Sequence, residues 1–233
     1  MTATRQHNPL VELLVTIVIP SIILMKFSDE SALGPVWGLV VALAFPLGWG
    51  GIDFVRHAKV NLFAVLGLVS VLLTGGIGLL QLDNQWLAVK EAAIPGIIGL
   101  VVIGSTQTRY PLIRALFYNP TLIDTARIET QLDARGTRAA FEARLRNATW
   151  LVGGTFFFSS AMNYFLATWI VTSPAGSPAF NEELGRLTLM SYPMIAVPSM
   201  LMMAGVFWWI ARGMKELTGL SLMDVFHHAE AKE

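Results

Sequence analysis

No cysteine occurs in the 233 residues, which excludes disulfides, thiolate zinc sites, iron–sulfur clusters and cysteine nucleophiles together. Charge is scarce as well. Asp, Glu, Lys and Arg make up 14% of the chain and balance to a formal net charge of zero, so no global charge points to nucleic acid or to an acidic ligand. The four histidines, His7, His57, His227 and His228, lie in the termini or in a polar loop, with no pair facing another across an apolar segment. That leaves no haem or metal site. No Ser-His-Asp set or carboxylate dyad can be assembled within the apolar segments. No catalytic residue, metal or cofactor is therefore expected.

What is abundant is apolar. Hydrophobic residues account for 54% of the chain and the mean hydropathy is +0.58, a membrane composition. A helix crossing roughly 30 Å of hydrocarbon needs about 20 mostly apolar residues. Six stretches meet that test, near 9–27, 34–52, 61–81, 86–105, 149–173 and 187–211. The runs are continuous and not alternating, which selects helices over a barrel. The first run, Pro9 to Met25, is followed by Lys26-Phe27-Ser28-Asp29-Glu30 without a small-x-small cleavage pattern, so it reads as a retained span. Thirteen of the 16 Lys and Arg residues fall on one side of this arrangement, against Lys26 and Arg186 on the other and Lys90 inside a span. By the positive-inside rule both termini are cytoplasmic. The expected fold is all-α: one polytopic inner-membrane domain, a six-transmembrane-helix bundle with an amphipathic cytoplasmic loop and a cytoplasmic tail at 212–233.

The sizeable extramembrane piece is the loop at 106–148, whose pattern predicts a helical hairpin. Asn119-Pro120 opens its first helix, Leu122, Ile123, Ile128 and Leu132 supply an apolar stripe, and Gly136 stops it. Thr137 can cap a second helix that carries Ala140, Phe141 and Leu145, places Glu142 four residues before Arg146, and runs on into the fifth span. Basic residues beside an apolar stripe suit a helix lying on an anionic membrane surface; a solvated positive-inside loop is the plainer reading. The Gly75-Gly76-x-Gly78 run follows no strand and sits in an apolar helix, so close helix packing explains it better than a phosphate loop.

Ionisable residues at membrane depth are costly and are functional candidates by default. They are Glu12, Lys90 and Glu91. Glu12 lies three residues into the first span, within reach of the interface. Lys90 and Glu91 lie one turn into the fourth and point about 100° apart, so each calls for a partner beyond the other. Trp86, four residues before Lys90, offers a cation–π contact; Asp83 lies at the same helix mouth; Pro95 frees a carbonyl near Glu91. The pair is either an interfacial anchor that snorkels outward or a polar pocket that receives a head group or ion. Asn163 and Tyr164 in span five and Ser191-Tyr192-Pro193 in span six extend an interior polar patch, as ligand contacts or as hydrogen bonds between helices.

The ordered landmarks resemble a known family. They are Gly75-Gly76 closing span three, an acidic and aromatic turn leading to Lys90, and Arg109-Tyr110-Pro111-Leu112-Ile113 after span four. Leu145-x-Asn147-x-x-Trp150 then enters span five, and Asn163 with Ala167 and Trp169 closes it. Over roughly residues 60 to 213 this set is similar to the bacterial intracellular septation protein A (IspZ/YciB) family. The resemblance implies an inner-membrane protein tied to cell-envelope integrity, elongation and septation, associated with other envelope proteins and without an established reaction. Its landmark residues here would be Lys90, Arg109, Pro111, Asn147, Trp150 and Asn163.

Two function classes follow. The first is a non-enzymatic envelope protein that binds membrane lipids or partner membrane proteins, and not nucleic acid. The second is a small-solute or lipid transporter or channel that works through Trp86, Lys90, Glu91, Asn163, Tyr164 and Tyr192.

Overall fold

The computed structural model describes residues 9–57, 62–108, 112–117 and 123–225. Every regular element among them is helical. In chain order they are α1 (Pro9–Leu13), a π-helical turn (Leu14–Val18), α2 (Ile19–Lys26), α3 (Gly34–His57), α4 (Leu62–Leu79) and α5 (Asn84–Gly104) with a 3-10 extension (Ser105–Gln107). Next come α6 (Leu112–Phe117), α7 (Thr125–Arg135), α8 (Arg138–Ile170) and α9 (Pro178–Ser191). A second π turn (Tyr192–Ala196), α10 (Val197–Thr218) and α11 (Leu222–Val225) complete the described elements.

Three stretches, Gly34–Ile52, Asn84–Gln107 and Pro178–Thr218, are long and apolar enough to cross a membrane. They coincide with expected spans two, four and six. The other three expected spans are also helical. The first is divided by its π turn, and the third corresponds to α4, whose stretch Leu68–Leu79 is apolar. Most of the fifth lies inside α8, where Ser159, Ser160 and Asn163 dilute its apolar character.

Both π turns end two residues before a proline, Pro20 in the first case and Pro198 in the second. Proline has no N–H to give and its ring crowds the carbonyl four residues back. A widened turn upstream shifts the hydrogen-bond register by one residue and relieves that clash.

The chain forms two compact units. One comprises Met1–Ile94 and Ser160–Ala196. Its core joins Leu24, Leu39, Ala42, Ile77, Leu87, Leu166, Phe180 and Leu184. Glycine sets its tightest contacts. A Cβ on Gly185 of α9 would lie 2.8 Å from the Ser21 carbonyl oxygen of α2, and Gly75 and Gly78 of α4 face Leu43 and Leu39 of α3. The close-packing reading of that glycine run therefore holds at Gly75 and Gly78, while Gly76 faces open space.

The other unit comprises Pro95–Ser159 and Val197–Glu233. In it the expected hairpin is present. Asp124 caps α7 by accepting from the Arg127 N–H at 2.9 Å, and Gly136, at φ +65°, ends the helix as the Thr137 N–H reaches back to the Leu132 carbonyl. The segment at Asn119-Pro120, expected to open this helix, lies outside the described residues. Three details of the expected hairpin are corrected. The Thr137 hydroxyl donates to the Leu217 carbonyl of α10 at 2.8 Å, which ties α10 to the hairpin. Glu142 faces Arg114 of α6 at 3.9 Å and not Arg146. Ile123, Ile128, Leu132, Phe141 and Leu145 are buried together with Val206, Ile210 and Met214 of α10. The apolar stripe thus serves a core instead of lying on a membrane.

Candidate functional site

Among the described residues Lys90 is the one charged side chain that is buried, and its surroundings are built by two helices. Asp83 accepts from the Gln85 N–H at 2.8 Å and starts α5, which sets Leu87 and Ala88 into the core and turns Lys90 toward α4. On α4, Ser70 and Thr74 are four residues apart and share a face. The Lys90 ammonium donates to the Thr74 hydroxyl at 2.7 Å and to the Ser70 hydroxyl at 3.3 Å. The Thr74 hydroxyl passes its own proton to the Ser70 carbonyl at 3.0 Å, which leaves its lone pairs facing the lysine.

Glu91 completes the shell, with its carboxylate 2.6 Å from the ammonium. The length of the lysine stem closes the angle between neighbouring residues on one helix. Side-chain exposure is 7% for Lys90 and 29% for Glu91, so the ammonium is buried and the carboxylate is partly exposed. The lysine also has the partners beyond Glu91 that its position called for. Next to it, the Ser160 hydroxyl of α8 donates to the Ala92 carbonyl at 2.8 Å, supplying a donor in the turn that Pro95 disrupts. The result is a locally neutral cluster, held by hydroxyls and closed by a single carboxylate.

The other expected patch members are placed differently. Trp86 is 61% exposed, and Tyr164 and Tyr192 are also exposed, so none of the three turns inward. Asn163 is half-buried on α8. Ser191 bonds back to the Leu187 carbonyl of its own helix at 2.8 Å. Of the landmark residues, Asn147 and Trp150 are exposed on α8, while Arg109 and Pro111 lie outside the described residues. Glu12 is exposed. Among the described residues no group of three His, Cys, Asp or Glu side chains is placed to hold a metal.

Sequence reasoning missed a set of polar clamps. Asn84, the first residue of α5, donates to the carbonyls of Val171 at 3.3 Å and Ser173 at 2.8 Å. Glu183 of α9 accepts from the backbone N–H groups of Thr172 and Ser173 at 2.9 and 2.8 Å, fixing the turn between α8 and α9. Asn181, fully buried, donates to the Pro35 carbonyl at 2.7 Å and the Ser28 hydroxyl at 3.1 Å. In the second unit Arg144 donates to the Trp209 carbonyl at 2.9 Å, stacks on the Trp209 ring and meets Glu216 at 3.2 Å. The Ser177-Pro178 start of α9, a capping serine before a first-turn proline, was the one sequence signal available for any of these.

No family model matches the chain, and no curated protein and no solved structure matches it.

Proposed function

We propose that the chain is a bacterial inner-membrane protein of six spans with both termini in the cytoplasm. Its role is non-enzymatic: it supports cell-envelope maintenance or septation by binding membrane lipids or partner membrane proteins. The observation that carries this reading is the apolar surface. The first unit exposes Trp37, Leu72 and Trp169, and the second exposes Leu100, Trp150 and Met200, each on a long helix and each more than half exposed. Side chains of this size in such number are covered in a cell by acyl chains or by apolar faces of other membrane proteins. The Lys and Arg asymmetry supports the orientation, and the order of landmarks shared with the septation protein A family supports the envelope role. The neutral Lys90–Glu91 cluster fits a polar tie between α4 and α5 inside such a bundle.

Native mass spectrometry with lipid extraction on protein purified in mild detergent tests the reading. Enriched lipid or a co-purifying envelope protein is the expected result. Bare protein, free of both, would overturn it.

The buried pair also favours a second reading, transport of a small solute or lipid. Lys90 and Glu91 form an ion pair in the same unit as the half-buried Asn163 of α8, and intramembrane charges commonly mark ion and substrate paths. Lys90→Met abolishes flux in proteoliposomes on that reading, and unchanged flux removes Lys90 from any mechanism.

A further inference from the structure

A cleft of about 360 Å3 opens in the first unit, between the end of α2 and the start of α9. That is the size of a small-molecule site, about 300–1,000 Å3. Two carboxylates line it, Asp29 in the turn after α2 and Glu182 in the second turn of α9. Asp29 accepts from the Ala32 and Gly34 N–H groups through its backbone carbonyl, both at 2.9 Å, and its carboxylate has no partner among the described residues. Glu182 gives one oxygen to Arg186 at 3.1 Å, an exposed pair that leaves the other oxygen uncommitted. Ser28 is the buried polar member of the lining. It is 3% exposed, its Oγ accepts from the Asn181 side chain at 3.1 Å, and its own hydroxyl proton has no acceptor among the described residues. A buried donor without an acceptor is costly, and a ligand oxygen in the cleft would satisfy it. The start of α9 brings about half a positive charge, but Ser177 already caps it by accepting from the Phe180 N–H at 3.1 Å. The carboxylates therefore set the sign of the cleft. Leu24, buried, and Met25 supply an apolar wall.

We propose that this cleft binds a primary ammonium group carried on a short oxygen-bearing chain, the chemistry of an ethanolamine head group. The ammonium lies between Asp29 and Glu182, an oxygen of the head group takes the Ser28 proton, and the apolar remainder lies against Leu24 and Met25. A primary ammonium offers three donors, each strengthened by a charged acceptor. A quaternary ammonium offers none and is recognised by aromatic faces, and no aromatic ring lines the cleft. Lys26, next to Met25, ends α2 and is one of the two basic residues that the charge asymmetry assigns to the non-cytoplasmic side. The ligand is therefore drawn from the outer leaflet or from the solution beside it. The inference rests on the membrane-protein reading above and names the head-group class and the residues that select it.

The full chain in mild detergent is titrated with phosphatidylethanolamine and, separately, with phosphatidylcholine, which keeps the phosphate and the positive charge but has no N–H to donate. Retention is read by native mass spectrometry. Wild type is expected to retain phosphatidylethanolamine preferentially. A hydrogen bond to a charged group contributes about tenfold in affinity, so Asp29→Asn lowers that preference about tenfold and Asp29→Asn/Glu182→Gln about 100-fold. Glu30→Gln, at an exposed carboxylate outside the lining, leaves it intact. An equal loss in Glu30→Gln would mean diffuse surface charge and would overturn the site, as would an unchanged double variant. A competition with millimolar ethanolamine separates the two sources of the same chemistry: lipid that stays bound upholds the site as one for the lipid, and lipid displaced upholds it as one for the soluble amine. Both lipids retained equally defeats this inference alone, whereas the absence of any retained lipid or protein partner defeats the reading beneath it.

Discussion

Replacing Lys90 with methionine keeps the apolar stem and removes the ammonium, so it isolates what the charge contributes. Two hydroxyl contacts, at 2.7 and 3.3 Å, are lost together with the 2.6 Å ion pair. Hydrogen bonds between membrane helices contribute about 0.6 to 1 kcal/mol each. Breaking a fully buried ion pair costs about 3–5 kcal/mol, mainly through the orphaned charge. Glu91 keeps 29% of its side-chain exposure and can recover part of its hydration, which lowers that share to about 1–2 kcal/mol. The hydroxyl protons of the cluster are little affected, because Thr74 continues to donate to the Ser70 carbonyl. Lys90→Met should therefore lose about 2–4 kcal/mol, a fall of roughly 4–16 °C in Tm for a chain of this size. Lys90→Met/Glu91→Gln should recover about half of it, since no charge is then left unpaired. The assay is SDS-titrated unfolding of the detergent-solubilised chain, followed by the fluorescence of its seven tryptophans. A single variant within 0.5 kcal/mol of wild type, or a double variant that loses more than the single, would refute the cluster as a structural tie.

Gly185→Ala places a methyl 2.8 Å from the Ser21 carbonyl oxygen, an atom of backbone that cannot swing aside, and should cost about 1–3 kcal/mol in the same titration. Gly213→Ala overlaps the Arg144 guanidinium and forces it off the Trp209 carbonyl. A loss of about 1–3 kcal/mol is expected, and adding Gly213→Ala to Arg144→Ala should cost little more than Arg144→Ala alone. Asp133 is held below its ordinary value of 3.8 chiefly by its hydrogen bonds from Arg138. Its contribution is present above that value and is lost as pH falls through the lower folded value. The Tm gap between wild type and Asp133→Asn should narrow on acidification below that point.

Helix content and the hairpin stop were legible in the sequence because each depends on local chemistry. Continuous apolar runs gave every expected span a helical counterpart, and Gly136 ended α7 as its freedom at positive φ predicts. The start of α9 at Pro178, ahead of the apolar run at 187, was signalled by Ser177-Pro178 but overridden by hydropathy. The site was legible only in part. Charge at depth marked Lys90, yet its partners Ser70 and Thr74 lie 20 and 16 residues away, and ordinary hydroxyl residues in an apolar helix carry no local mark of such a pairing. Trp86 was favoured by its i to i+4 spacing, but the lysine stem turned toward α4 instead. The apolar stripe of the hairpin was read correctly as a stripe; what it packs against depended on α10, more than 60 residues further along the chain.

The central claim is a polytopic chain with its basic hairpin in the cytoplasm. Because the chain has no cysteine, single cysteines can be introduced without background. Ala32→Cys, in the exposed turn after α2, and Ala134→Cys, on the exposed face of α7, are probed in intact spheroplasts with a membrane-impermeant maleimide. The account predicts labelling of residue 32 from outside and of residue 134 only after permeabilisation. Labelling of residue 134 from outside, or protection of residue 32 until the membrane is opened, would contradict it.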